Sequence, residues 1–192
     1  MKAFFTRRLY IALATTALAL VPVLSGCGGG SVKGVDSEDW VADVCDRFIE
    51  FEDAGIELGD KFMEVDFSEP EDAKKKLLAL FNEMKKEFDS LEADFKKMGK
   101  PDIESGSEVR EAFLANFDVN RKDLEGAIKG IKALDTDSKD IEGDVIEIFE
   151  DIEDENFRDV LEKLADKKDD VWEIVDLIDE DPDCAAVIFS DE

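Results

Sequence analysis

The sequence predicts an all-α protein, an antiparallel up-down bundle of four helices. Three observations carry that expectation. From Trp40 onward, apolar residues recur at steps of three and four nearly everywhere, the spacing that lines one face of a helix. No segment shows the strict alternation or β-branched clustering of a strand. Breakers cut the chain into long limbs joined by short turns, and short turns make consecutive helices antiparallel neighbours.

The first limb carries Val41, Cys45, Phe48, Phe51, Gly55, Leu58, Phe62 and Val65 on one stripe. Asp36 or Ser37 can cap its start, because either side chain accepts free backbone N–H groups. At Ser68-Glu69-Pro70-Glu71 the pattern breaks and restarts. Ser68 is the expected cap there, with Glu71 completing a capping box and Pro70 placed where its missing N–H costs nothing. The second limb presents Leu77, Phe81, Met84, Phe88, Leu91, Phe95 and Met98, and stops at Gly99-Lys100-Pro101. Residues 99–107 form the longest expected loop.

Ser105 or Ser107 opens the third limb, with Val109, Phe113, Phe117, Leu124, Ile128, Ile131 and Leu134 facing inward. Asn120 falls on the same stripe, either as a buried group that fixes register or as a local kink. Asp135-Thr136-Asp137-Ser138 reads as a turn, although the spacing runs through it to Ile141, Val145, Ile148 and Ile152, so one continuous helix is the alternative. The last limb runs through Phe157, Val160, Leu161, Leu164, Val171, Trp172, Val175 and Ile178 to Asp181-Pro182-Asp183. Asp154-Glu155-Asn156 is where it is expected to kink or split into two helices.

Ahead of the bundle lies a segment of different character. Lys2, Arg7 and Arg8 precede an apolar run from Leu9 to Leu24, and no acid occurs before Asp36. The run is short for a spanning helix and small residues follow it closely, as in an export signal. It ends in Leu24-Ser25-Gly26-Cys27, which resembles the lipobox of bacterial lipoproteins. That resemblance implies cleavage after Gly26, diacylglycerol on the Cys27 thiol, and anchoring to the outer side of the cell membrane. The alternative is an ordinary secreted protein cut before a cysteine. Thr6-Arg7-Arg8-Leu9-Tyr10-Ile11 loosely resembles a twin-arginine signal, so general secretion and twin-arginine export both stand. The expected organisation is a signal peptide at 1–26, a flexible lipid tether at 27–36, the bundle at 37–184 and a tail at 185–192.

Cleavage leaves 166 of the 192 residues, enough for one domain with a sizeable core. It removes three of 24 basic residues and none of 51 acidic ones, so the net charge moves from −27 to −30. Such a surface argues against nucleic acid and against adhesion to anionic headgroups. It suits a domain held off its own membrane, with attraction of cations or basic partners and salt adaptation as other readings. With Cys27 lipidated, Cys45 and Cys184 remain, and two cysteines in an oxidising compartment pair in one way. The pair closes a loop of about 140 residues, which stabilises by roughly 4–5 kcal/mol on chain entropy. In an up-down bundle the start of the first helix lies beside the end of the fourth, where these cysteines stand. Two free thiols are the alternative.

Histidine is absent, which removes the commonest general base and metal ligand together with every serine or cysteine triad. Calcium loops are the remaining acidic chemistry to weigh. Asp135, Asp137 and Asp140 have Lys139 at a ligand position and lack the central glycine. Asp151, Glu153, Glu155 and Glu162 have Asn156 where that glycine belongs. Asp179, Asp181 and Asp183 form the best short cluster, followed by Cys184 and no closing Glu. No catalytic residue and no cofactor are expected. Phe residues on the stripes are explained by core packing, with an apolar ligand cavity between helices as the alternative.

Three short motifs also resemble a group of small exported proteins and lipoproteins of actinobacteria. They are Trp40-x-x-x-x-Cys45, the loop Gly99-Lys100-Pro101-Asp102-Ile103-Glu104-Ser105-Gly106, and the ending Asp181-Pro182-Asp183-Cys184. The resemblance implies a helical bundle with its first and last cysteines bridged, and it brings no activity. The leading functional expectation is a non-enzymatic envelope lipoprotein with an unidentified protein partner. The alternative is an extracytoplasmic binding module for a cation or a small apolar ligand, and an enzyme comes third.

Overall fold

The computed structural model describes residues 32–138, 140–150 and 157–188. Within them the protein is all-α, with seven helices and one two-residue strand pair. β1 (Gly34–Val35) leads into α1 (Ser37–Met63), and α2 is Pro70–Lys97. β2 (Lys100–Pro101) precedes α3 (Gly106–Ala133). After these come α4 (Ile141–Glu150), α5 (Phe157–Ala165), a 3₁₀ turn at Asp169–Val171, α6 (Trp172–Glu180) and α7 (Pro182–Ile188).

The three long helices follow the apolar stripes closely. Asp36 caps α1, accepting from the Glu38 N–H at 3.1 Å. Ser68 does not cap α2. The helix opens at Pro70 without a side-chain cap, and the Ser68 N–H donates to Asp66 Oδ1 in a tight turn. Asp66 is nearer in sequence and competes successfully for the groups a capping box needs. Trp40 meets Phe95, Phe51 meets Phe88, and Lys61 pairs with Glu83, so α1 and α2 run antiparallel. Arg110 donates to the Lys96 carbonyl, Arg121 pairs with Glu92, and Lys74 reaches the Leu134 carbonyl, so α2 and α3 do too. α3 ends at Ala133, and Leu134 is extended. The turn at 135–138 therefore separates two helices, and the continuous alternative is excluded.

The last limb is more divided than the spacing suggests. α4 lies against α3, where a Cβ on Gly130 would meet Ile148 at 3.1 Å. α5 follows the same helix, with the Phe157 ring stacked on Phe113 at 4.9 Å. At Lys168 the backbone is extended, and α6 then returns along α5, where Arg158 pairs with Asp179 at 2.8 Å. The reason is in the residues. Asp166-Lys167-Lys168-Asp169-Asp170 puts charge on every position of a turn, and no face of it can enter the core. Asp154-Glu155-Asn156 lies outside the described residues.

The core is continuous and aromatic. Phe48, Phe88, Phe95, Phe113, Phe117 and Phe157 form a connected set of edge-on and stacked rings with centroids 4.9–6.3 Å apart. The rings that an apolar ligand would touch thus touch one another. Asn120 is buried and donates to the Asn116 carbonyl and side-chain oxygens.

Candidate functional site

The residues singled out by their motifs meet at one end of the bundle, where the chain enters it. Gly34 and Val35, expected in the tether, lie parallel to Lys100 and Pro101. The Lys100 N–H donates to the Lys33 carbonyl at 3.1 Å and the Asp102 N–H to the Val35 carbonyl at 2.7 Å. Parallel pairing draws these donors from alternate residues, so Pro101 sits between them where no N–H is required. Gly99 is needed for this approach, because a Cβ there would come within 2.5 Å of the Lys33 oxygen. At Gly106 a Cβ would overlap the Pro101 carbonyl.

Behind this bridge stands Trp40, buried, with its indole N–H donating to the Gly99 carbonyl at 3.2 Å. Its ring is edge-on to Phe95 and Phe113. One turn further along α1, Cys45 is disulfide-bonded to Cys184, with Cα atoms 5.0 Å apart. Both cysteines are buried. The expected pairing is present, but the route to it differs. Cys184 arrives on α7, a separate short helix, after α6 has turned back. Residues 185–188, expected in a tail, belong to that helix, and Ile188 is buried.

Two carboxylates organise the chain around this end. Asp181 Oδ1 accepts from the N–H groups of Asp183 and Cys184 at 3.0 and 3.1 Å, which fixes the first turn of α7. Asp170 Oδ2 accepts from the Ser105 N–H at 2.7 Å, which ties the 3₁₀ turn to the start of α3. That backbone bond holds the Asp170 carboxyl below its ordinary range. Nothing in the sequence pairs residues 105 and 170. Ser105, one of the two expected starts of this helix, makes no side-chain cap of its own.

The acidic clusters are otherwise engaged. Asp179 pairs with Arg158, and Asp181 caps α7. Asp135 accepts from the Asp137 N–H and Asp140 from the Gly143 N–H. Glu162 pairs with Arg158, while Asp151, Glu153 and Glu155 lie outside the described residues. Among the described residues no group of three or more potential ligands is placed to hold a metal. Sequence spacing did not single out Glu92, which is 5% exposed. It pairs with Lys96 at 2.7 Å and Arg121 at 2.9 Å, and among the described residues it is the one buried carboxylate. This buried carboxylate with its two cations ties α2 to α3.

Cys27 lies outside the described residues. No described helix is long and apolar enough to cross a membrane. Comparison with family models, curated proteins and solved structures gives no match. What the described site does is fix where the chain enters the bundle, through backbone, indole and disulfide bonds within a few residues of one another.

Proposed function

We propose that this chain is a lipoprotein held by lipid on Cys27 at the outer face of the cell membrane, acting as a non-enzymatic interaction or structural protein of the envelope. The observation that carries the reading is the ordered leader: a basic start, an apolar run and Leu24-Ser25-Gly26-Cys27. The Cys45–Cys184 disulfide supports it, because such bonds persist in oxidising compartments. In this reading the working domain is an antiparallel bundle whose fourth limb is segmented. The meeting of Trp40, Gly99, Cys45 and Cys184 at one end supports the likeness to exported actinobacterial helical proteins, since motifs far apart in sequence then describe one structural unit.

The test is metabolic labelling with palmitate together with detergent-phase partitioning of the full-length chain. Wild type is expected to carry label and enter the detergent phase, and Cys27→Ser to do neither. An unlabelled wild type recovered in the aqueous phase overturns the proposal.

A further inference from the structure

We infer that the outward face of α1 docks a basic amphipathic helix of a protein partner, whose lysines or arginines meet its acids and whose apolar residues meet Ile56 and Met63. The inference goes beyond the envelope reading and does not depend on lipid at Cys27. Charge is divided unevenly among the long helices. α2 carries seven acidic and seven basic residues, and α3 carries five of each. α1 carries nine acids and two bases. From Asp39 to the C-cap Glu64, an exposed acid recurs along α1 at alternating steps of four and three residues, without a gap. That spacing sets the acids on one stripe. On α2 the same spacing joins opposite charges, Lys76 with Asp72, Lys85 with Asp89 and Lys96 with Glu92. The two α1 cations are both taken, Arg47 by Glu50 and Lys61 by Glu57 and Glu83. Six of the stripe's eight acids are left without an ion pair among the described residues.

Like charges at these steps destabilise a helix, so the stripe works against the fold. A surface that needed only charge for solubility could be built as α2 is. Beside the stripe, Ile56 and Met63 are 45% and 42% exposed. They stand seven residues apart, and Ile56 is three residues from Asp53 and four from Asp60. Heptad-spaced apolar residues edged by charge form a surface that a second helix packs against, with the edge charges choosing the partner. A second copy of this chain is disfavoured, because it would set two acidic stripes against each other. Complementarity therefore selects a helix with lysine or arginine along the edges of an apolar seam.

The test titrates the full-length protein with a synthetic helix bearing leucine on one face and lysine along its edges, and with a scrambled peptide of equal composition. Physiological ionic strength confines attraction to charges within about 8 Å. Wild type is expected to bind the amphipathic peptide several-fold more tightly than the scrambled one. Asp53→Asn with Asp60→Asn and Glu64→Gln should weaken that binding about tenfold, three exposed ion pairs being lost. Glu173→Gln with Asp176→Asn and Glu180→Gln removes the same charge from α6 and should change it less than about twofold. Ile56→Gln with Met63→Gln should bring the two peptides level. No binding, equal affinity of wild type for both peptides, or equal losses in the two charge variants overturns the proposal. The α1 charge variant should also unfold at a midpoint no lower than that of wild type. A lower midpoint would show that the acids serve the fold, and that too overturns it. None of these readouts involves Cys27, so the lipid anchor stands or falls separately.

Discussion

At the β1–β2 end, parallel backbone bonds, the Trp40 indole, the Cys45–Cys184 disulfide and the Asp170–Ser105 bond all act within one small volume. At the far end the turn at 134–138 is tied to the start of α2 by slighter means. Thr136 Oγ1 donates to Glu71 at 2.7 Å, and Lys74 reaches the Leu134 carbonyl. Each far turn closes on itself, through Asp66 with Ser68 and Asp135 with Asp137. The difference follows from sequence distance. The far turns join helices that are consecutive in the chain, and local bonds suffice. The near end gathers residues from both extremes of the domain, and bonds between such distant residues must offset a larger loss of chain entropy.

Removing the disulfide should break this contrast most. Cys45→Ser with Cys184→Ser is expected to cost about 4–5 kcal/mol by the chain-entropy treatment, read as a lowered midpoint in denaturant unfolding. Amide exchange should then quicken chiefly around α7 and the start of α1. An unchanged midpoint would show that the near end does not depend on its covalent bond.

Gly106→Ala comes next, since its Cβ collides with the backbone oxygen of Pro101. Overpacking of this kind costs about 1–3 kcal/mol. Gly126→Ala is the control, with open space around the new Cβ, and should leave stability unchanged or raise it by up to about 1 kcal/mol.

Asp170→Ala should cost about 1 kcal/mol at neutral pH, the usual cost of losing a side-chain acceptor at a helix start. Its pH dependence sharpens the test. The folded-state carboxyl lies below the reference value of 3.8 because the Ser105 N–H bonds its ionised form. The contribution is therefore complete above that value and is lost as pH falls through the lowered one. The stability difference between wild type and variant should be constant near neutrality and shrink in strong acid; a difference that grows with acid contradicts the assignment.

Thr136→Val, at the far end, should change stability by less than about 1 kcal/mol, because the bond it removes is exposed. A loss as large as that of the disulfide variant would erase the contrast between the ends.

Much of this was legible in the sequence. The stripes of α1, α2 and α3 name most of the large apolar side chains those helices bury, though not Trp40 or Val44, because burial of one helix face imposes a period that needs no partner to be seen. The cysteine pair was legible once Cys27 was read as the lipid-bearing residue, which leaves two of three. The near end was not legible as geometry. A two-residue bridge leaves no periodic trace, and the Asp170–Ser105 bond joins residues 65 apart. The fold-back at Lys168 left one signal that went unread, a lysine on the apolar stripe midway between Leu164 and Val171. Ser68 misled because Asp66, two residues earlier, takes its N–H.

The disulfide also settles how the molecule bears a pull. Under a pull applied at Lys33 and beyond Cys184, the covalent path runs along the first turns of α1 to Cys45. From there it crosses the sulfur atoms directly to Cys184. The chain between the cysteines, whose sequence separation is 139, lies outside that covalent path and cannot be drawn out while the disulfide is intact.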